Sequence, residues 1–413
     1  MNQTPKRFAL FCLLGFCLAG LLAIVISEPK ISRSQPQPAA TIALPATSPT
    51  SSAGPVAGQT LAVPDPAKVT RPSPAANPLY PIKLNGKFGY INVAGQVVIP
   101  PQFEEARFFS EGMAAVRGND PTVKPAATSR YRQAQWGFIN LQGQWITGAE
   151  FDQVKPFSEG LAAVQINSTG SSLWGFVNKT GQMVIPPAYT EVESFQEGLA
   201  AVEIDRQWGY IDSSGSMKIQ PQFAPTAGRN EPPHSFSEGL AAVMPAQSNG
   251  RSSGYGYINF AGEFVIQPSY RLALPFSNGL AAVMVRDKFG FIDPTGAMVI
   301  QPQFQMAQQF SENLAQIAFD QNPDDRRCPY LQGYIDKTGR TTIAPQFCLT
   351  RPFSAGLALT DRGFINKSGQ VVLKPDGVVE GESSFGRGLV QIAVDRKVGY
   401  VDRTGRYIWQ PTE

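Results

Sequence analysis

Phe157-Ser158-Glu159-Gly160-Leu161-Ala162-Ala163-Val164, followed after a short loop by Trp174-Gly175-Phe176-Val177-Asn178, is the stretch whose reading decides the fold. Close copies recur from about residue 80 to the last residue, so the chain is a repeat array and counting units replaces counting domains. Aligned on the aromatic-Gly-aromatic core there are nine copies: Phe88-Gly89-Tyr90, Trp136-Gly137-Phe138, Trp174-Gly175-Phe176, Trp208-Gly209-Tyr210, Tyr255-Gly256-Tyr257, Phe289-Gly290-Phe291, Gln332-Gly333-Tyr334, Arg362-Gly363-Phe364 and Val398-Gly399-Tyr400.

Within one unit the pattern reads as three short strands: Leu-Ala-Ala-Val, the aromatic-Gly-aromatic-Ile run, and an apolar run such as Val97-Val98-Ile99. Between the second and third lies Asn/Asp-x-x-Gly, as in Asp212-Ser213-Ser214-Gly215. The acid or amide opens a turn by bonding its own backbone and the glycine takes the left-handed position, which predicts a hairpin connection with a G1-type bulge. After the third strand come a Pro and an aromatic, as in Pro221-Gln222-Phe223. Proline cannot donate to a ladder, so this link is expected to leave the sheet and carry the chain to the next unit.

Alternation along the strand puts Trp174 and Phe176 on one side and Gly175 and Val177 on the other. The repeated residues Trp136, Gly137, Trp174, Gly175, Trp208, Gly209, Phe289 and Gly290 therefore read as structural core, the rings for packing and the glycines for close approach of a neighbour. Nine whole three-stranded antiparallel meanders fit between Tyr80 and Pro411, with no strand shared between the ends. That exceeds the usual four to eight propeller blades. The expected fold is all-β, an open superhelical array of about nine β-meander repeats, with a closed β-propeller-like ring as the alternative.

Ahead of the array, Lys6-Arg7 precede residues 8–26, an uncharged and mostly apolar run long enough to cross a bilayer as a helix. Residues 1–27 read as a signal anchor, or as a signal peptide cleaved near Ser27; either way the remainder is exported. Cys12 and Cys17 each follow a bulky Phe, which departs from a lipobox. Residues 28–79 are rich in Pro, Ala, Ser and Thr without a hydrophobic period, the composition of a disordered spacer. The expected location is membrane-anchored, with residues 80–413 in the periplasm or at the cell surface, or secreted after cleavage.

The set Trp208-Gly209-Tyr210-Ile211-Asp212, Gly215, Ile219-Gln220-Pro221 and Phe236-Ser237-Glu238-Gly239-Leu240-Ala241-Ala242-Val243 resembles the WG (KWG) repeat family of bacterial proteins. The resemblance covers residues 80–413. It implies a β-rich interaction scaffold and supplies no catalytic residues. Local departures are Thr147-Gly148-Ala149 in the second unit, where others carry Ile-x-Pro, and the missing first aromatic in the seventh to ninth.

Few features suggest chemistry. A net charge of +3 gives no nucleic-acid footprint. The single histidine, His234, lies in a Pro-rich insertion and reads as a solvated loop residue, so a His-based nucleophile has no second candidate. No His/Cys cluster has zinc spacing and no Gly-rich phosphate loop is present, so no catalytic, metal or cofactor residues are assigned. Glu111, Glu159, Glu197, Glu238 and Glu312 recur but give way to Asn278, Ala355 and Arg387, and Asp212, Asp293, Asp336 and Asp402 alternate with asparagines. Capping of turns and loops accounts for both sets.

Cys328 and Cys348, both in the seventh unit, are expected to pair in an exported chain. Insertions at Arg117 to Gln135, Ala224 to Ser235, Met244 to Gly254 and Ala318 to Leu331 make the units unequal, and variable loops on a regular frame are common binding sites. The expectation is a non-enzymatic scaffold with protein or cell-envelope glycan partners. The alternatives are a purely structural envelope protein or, without His, a carboxylate-based glycan hydrolase.

Overall fold

The computed structural model describes residues 78–118, 135–168, 171–225, 232–246, 254–319, 328–375, 378–379, 384–394 and 397–410. They belong to the second of two compact units, Val63–Glu413. The apolar run at 8–26, the spacer up to residue 77 and most of the four insertions lie outside the described residues. Among the described residues no helix is long and apolar enough to cross a membrane.

The described chain is all-β with no α-helix: small antiparallel meanders follow one another, and none closes into a barrel. The third unit shows the plan. Leu161–Ser168 pairs with Ser171–Asn178, which pairs with Met183–Tyr189, and the short strand Gln153–Val154 pairs along the other edge of Leu161–Ser168. The expected three-stranded meander is therefore four-stranded here. The same two-residue first strand occurs at Glu105–Ala106, Leu272–Ala273 and Val378–Val379, and Met306–Ser311 is a longer form of it. Two-residue pairing was invisible as a hydrophobic period because it is too short to have one. The fourth and eighth units reduce it to single bridges, Val192 with Val202 and Thr350 with Thr360, and the first unit has only Tyr80–Leu84, Lys87–Ile91 and Val97–Phe103.

The Pro-containing link also differs from expectation. Val97–Phe103 and its counterparts run unbroken through Ile-x-Pro to the aromatic, with the register slipping on the way: Ile99 faces Tyr90, and the next pair is Phe103 with Phe88. The proline sits in this bulge, where no ladder donor is needed. The bulge explains the core glycine. A Cβ at Gly89, Gly175, Gly209, Gly256 or Gly290 would come within 2.6 Å of the main-chain oxygen of the isoleucine in the bulge. At Gly137 the oxygen belongs to Gly148, so the second unit keeps the crossing although Thr147-Gly148-Ala149 replaces Ile-x-Pro.

Three contacts recur between successive units. The second aromatic of each core meets the Phe of the next Phe-Ser-Glu-Gly, as in Tyr90–Phe109 at 4.9 Å, Phe176–Phe195 at 4.9 Å and Tyr334–Phe353 at 4.8 Å between ring centroids. Where that aromatic is tyrosine, its hydroxyl donates to the carbonyl two residues before the Phe: Tyr90 to Arg107, Tyr210 to His234, Tyr257 to Leu274 and Tyr334 to Arg351. The glycine of each Asn/Asp-x-x-Gly turn rests on a branched third-strand residue of the preceding unit, as Gly143 on Ile99, Gly215 on Ile185, Gly296 on Ile266 and Gly405 on Leu373.

All three contacts also join the last unit to the first. Gly95 rests on Ile408, Tyr400 meets Tyr80 at 5.4 Å, and the Tyr400 hydroxyl donates to Pro81 O at 2.7 Å. Tyr80, Ile82, Ile91, Leu389 and Tyr400 form one buried cluster. The open superhelical array is thus corrected: the nine units close on themselves as a propeller-like ring. Closure needs no strand exchanged between the ends, because the first unit is edited to receive the ninth. Tyr80 stands where other units carry the first Ala of Leu-Ala-Ala-Val, and its ring fills the place of the Phe that this unit lacks. Pro81 stands at the second Ala, on the edge that elsewhere pairs with the short first strand, and has no N–H to leave unpaired there.

Candidate functional site

The Phe-Ser-Glu-Gly segments build the most ordered polar feature of the ring. Ser110-Glu111-Gly112-Met113 is a two-residue hairpin turn, with Ser110 and Met113 exchanging both backbone hydrogen bonds at 2.8 and 2.9 Å. Its central residues have φ of 51° and 82°, the signature of a type I′ turn. Glycine and asparagine are the residues that tolerate this region, yet Glu111, Glu159, Glu197, Glu238 and Glu312 all hold φ between 50° and 56°.

What the glutamates gain is a neighbour. The Glu111 carboxylate accepts the backbone N–H groups of Glu159 at 2.7 Å and Gly160 at 2.9 Å in the next unit. Glu159 does the same for Glu197 and Gly198, and Glu197 for Glu238 and Gly239. Glu238 accepts from Gly279, Asn278 from Asn313, and Glu312 from Gly356. Alongside, Ser110 Oγ donates to Phe157 O, Ser158 to Phe195, Ser237 to Phe276, Ser277 to Phe310 and Ser311 to Phe353. These carboxylates cap the turn of the following unit, not their own loop as expected from the sequence.

Two of the carboxylates are also paired with lysine, Glu111 with Lys179 and Glu312 with Lys367, both at 3.0 Å. Burial pushes the Glu111 carboxyl up, but the Lys179 ammonium and the Gly160 and Glu159 amides outweigh it and hold it below the usual range. Glu312 is lowered in the same way against burial, by Lys367 and the Gly356 and Ala355 amides.

The Asp/Asn set does cap its own turn. Asp212 Oδ1 accepts from Ser214 N at 2.9 Å and Ser216 N at 3.0 Å, and Asn92 Oδ1 makes the same two bonds to Ala94 and Gln96. The Ser214 hydroxyl and Lys218 hold the Asp212 carboxyl well below the usual range. The core rings are packed: Trp174 and Trp208 are buried, and their indole N–H groups have no hydrogen-bond partner. Lys155 lies 5.8 Å from the Trp174 ring, and Arg107 lies 4.4 Å from that of Trp136. Burial raises the hydroxyls of Tyr90, Tyr210, Tyr257 and Tyr400, which keeps them protonated donors.

His234 is half-buried and placed by its backbone, its carbonyl accepting from Tyr210 and its N–H donating to Ala242 O at 3.2 Å. Cys328 and Cys348 are joined by a disulfide, with Cα atoms 5.1 Å apart. Among the described residues no group of three His, Cys, Asp or Glu is placed to hold a metal ion.

Strand direction sorts the connections onto two faces. In a four-stranded meander the first-to-second and third-to-fourth turns leave at one end, and the second-to-third and unit-to-unit connections leave at the other. The first end carries the hydrogen-bonded Phe-Ser-Glu-Gly turns and the Asn/Asp-x-x-Gly turns. At the other, tight connections such as Asn85-Gly86 and Asp205-Arg206 alternate with the long ones. Gly118 and Gln135, Pro245 and Tyr255, and Ala318 and Gln332 are the strand ends at which three insertions leave and return. The fourth insertion follows Ala224, whose strand ends at that same end beside Met244 and Pro245.

Three comparisons place the chain among known proteins. A crystal structure of the eukaryotic initiation factor is similar in fold, with a TM-score of 0.55 at 13% identity over 81% of this chain and 95% of that one. Weaker likenesses include apo AztD from Citrobacter koseri, with a TM-score of 0.36 at 11% identity over 79% and 92% of the two chains. Another is the β-propeller domain of the Trilobed protease from Pyrococcus furiosus, at 0.33 and 9% over 65% and 99%. No curated protein matches the sequence. The model of the WG containing repeat matches seven times, at residues 88–120, 136–169, 174–206, 208–224, 255–289, 289–321 and 333–360, which is about half of the chain. The chain is a member of the WG-containing-repeat family.

Proposed function

We propose that this protein is a non-enzymatic extracytoplasmic binding scaffold that meets a protein or cell-envelope glycan partner through the face where the long connections emerge. One observation carries the reading: three insertions join strand ends at that face and the fourth leaves from a strand end there, while the opposite face is closed by short turns bonded to one another. A regular frame that confines its length variation to one side has the layout of a binding surface held by a rigid support. The exported location rests on the charged and apolar pattern of residues 1–27.

The test replaces residues 119–134 by Asn-Gly, the connection already used at Asn85-Gly86, in the full chain. Partners are captured from an envelope fraction with wild type and variant, and circular dichroism and a melting curve verify that the ring survives. A stoichiometric partner lost from the folded variant supports the proposal. A partner retained by the folded variant, but lost when Glu197→Gln alters the turn face, would place recognition on the wrong side and refute it.

A further inference from the structure

Eight junctions of the ring join units that are also consecutive in the chain; the ninth joins its two ends. An ordinary junction is tied by a serine hydroxyl and a carboxylate: between the third and fourth units, Ser158 Oγ reaches Phe195 O at 2.6 Å and Glu159 holds two N–H groups at 2.7 and 2.9 Å. In the ninth unit that turn reads Phe385-Gly386-Arg387-Gly388, so the hydroxyl and the carboxylate are both gone. Among the described residues the first unit has no such turn whose amides a carboxylate could cap.

Arg387 replaces both ties with one long reach. Its Nη1 donates at 2.7 Å to Phe109 O, which belongs to the second unit, and its guanidinium lies 5.3 Å from the Phe108 ring. Glycine at 386 fits the same arrangement: a Cβ there would come within 3.0 Å of Ser354 Oγ. Arg387 O also accepts from the Tyr80 hydroxyl, which in turn accepts from Leu389 N at 3.2 Å.

We propose that the junction between the ninth and first units is a latch, that the ring opens there first, and that Arg387 is the strap that holds it. At every other junction a connecting peptide keeps parted neighbours at high effective concentration; here none does. Local opening therefore concentrates where contacts alone resist it.

Hydrogen exchange of the full chain tests this. In Arg387→Ala, peptides covering Tyr80–Ile91 and Val390–Val401 should exchange about ten- to a hundredfold faster, the range for losing a hydrogen bond from a charged donor. Those covering Tyr255–Tyr270 should be unchanged, Arg387→Lys should recover protection, and Ser158→Ala should leave the latch peptides as in wild type. If Arg387→Ala does not fold, Tyr400→Phe, which removes the 2.7 Å bond to Pro81 O and a long 3.5 Å one to Gln391 Oε1, should give the same regional pattern. Uniform acceleration, acceleration centred on another junction, or unchanged latch peptides would each overturn the proposal.

Discussion

Gly209→Ala isolates the steric demand that the repeat places on its central glycine. Gly209 has no positive φ, so alanine is permitted by its backbone and the cost is one of space. The new Cβ would lie 2.5 Å from Ile219 O, 2.8 Å from Pro221 N and 3.0 Å from Gln220 C, all main-chain atoms of the bulge that crosses the strand. Relief requires the bulge to retreat by about half an ångström, breaking its fit over Tyr210 and Trp208; overpacking of a tight core costs roughly 1–3 kcal/mol, and immovable backbone puts this site at the upper end. Gly198→Ala is the matched comparison. Gly198 has φ of +84° with nothing within 4 Å of its added Cβ, so that variant suffers only left-handed strain, about 1–2 kcal/mol. The gain from stiffening the unfolded chain is common to both and cancels. Urea unfolding of the two full-chain variants, followed by tryptophan fluorescence, should place the Gly209→Ala midpoint below that of Gly198→Ala. The reverse order would show that the bulge yields cheaply and that the glycine serves something else.

Two further outcomes follow from the site. Replacing Cys328 and Cys348 together by serine opens a link across a sequence separation of 20, and should cost about 3 kcal/mol on the loop-entropy scale; reductant should lower the urea midpoint of wild type towards that of the double variant and leave the variant unmoved. For Glu111→Gln the sign follows from a folded carboxyl held below 4.5: the stabilisation is complete above the unfolded value and is lost as pH falls through the folded one. Wild type should therefore melt higher than Glu111→Gln near neutrality, with the difference shrinking only below about pH 4.5; a difference that persisted far into acid would separate the glutamate's role from its charge.

The repeat was legible in the sequence because each unit is locally consistent. Alternation in Trp174-Gly175-Phe176-Val177 gave the strand faces, and Asp212-Ser213-Ser214-Gly215 gave the turn with its Asp212 cap and its glycine at φ of +82°. Two-residue first strands such as Gln153–Val154 left no pattern because pairing that short needs no alternation. The Pro in Ile-x-Pro reads as a break in the sequence, yet its missing donor is forgiven in a bulge, and the bulge becomes visible only once the glycine beneath it is seen as its partner. The role of the glutamates was hidden for a different reason. Their acceptors' partners lie about forty residues on, and nothing local distinguishes a carboxylate that caps its own turn from one that caps the next.

A signal was nevertheless present in that conflict. Left-handed φ at the first central position of a two-residue hairpin turn favours asparagine or glycine; Asn85 meets that preference between strands, whereas among the described Phe-Ser-Glu-Gly turns and their variants asparagine takes the position only at Asn278. Five glutamates at positions where their backbone is disfavoured mean that the side chain is retained for what it reaches. The same reasoning applies to closure. An open array and a ring present identical contacts at every interior junction, so the consensus repeat cannot separate them, and a count of nine argued for the wrong one. What separates them is the departures: Tyr80 and Pro81 in place of two alanines, Gly386 in place of serine and Arg387 in place of glutamate. Degenerate end units would be expected to lose side chains and exchange them for solvated ones, as caps of an open array do. Tyr80, Pro81 and Arg387 instead form a matched set across the closure: Tyr80 against Tyr400, Pro81 O beneath the Tyr400 hydroxyl, and Arg387 bridging to Phe109 O. Complementarity between residues about three hundred positions apart is the property of a closed ring, and it is carried by departures from the repeat.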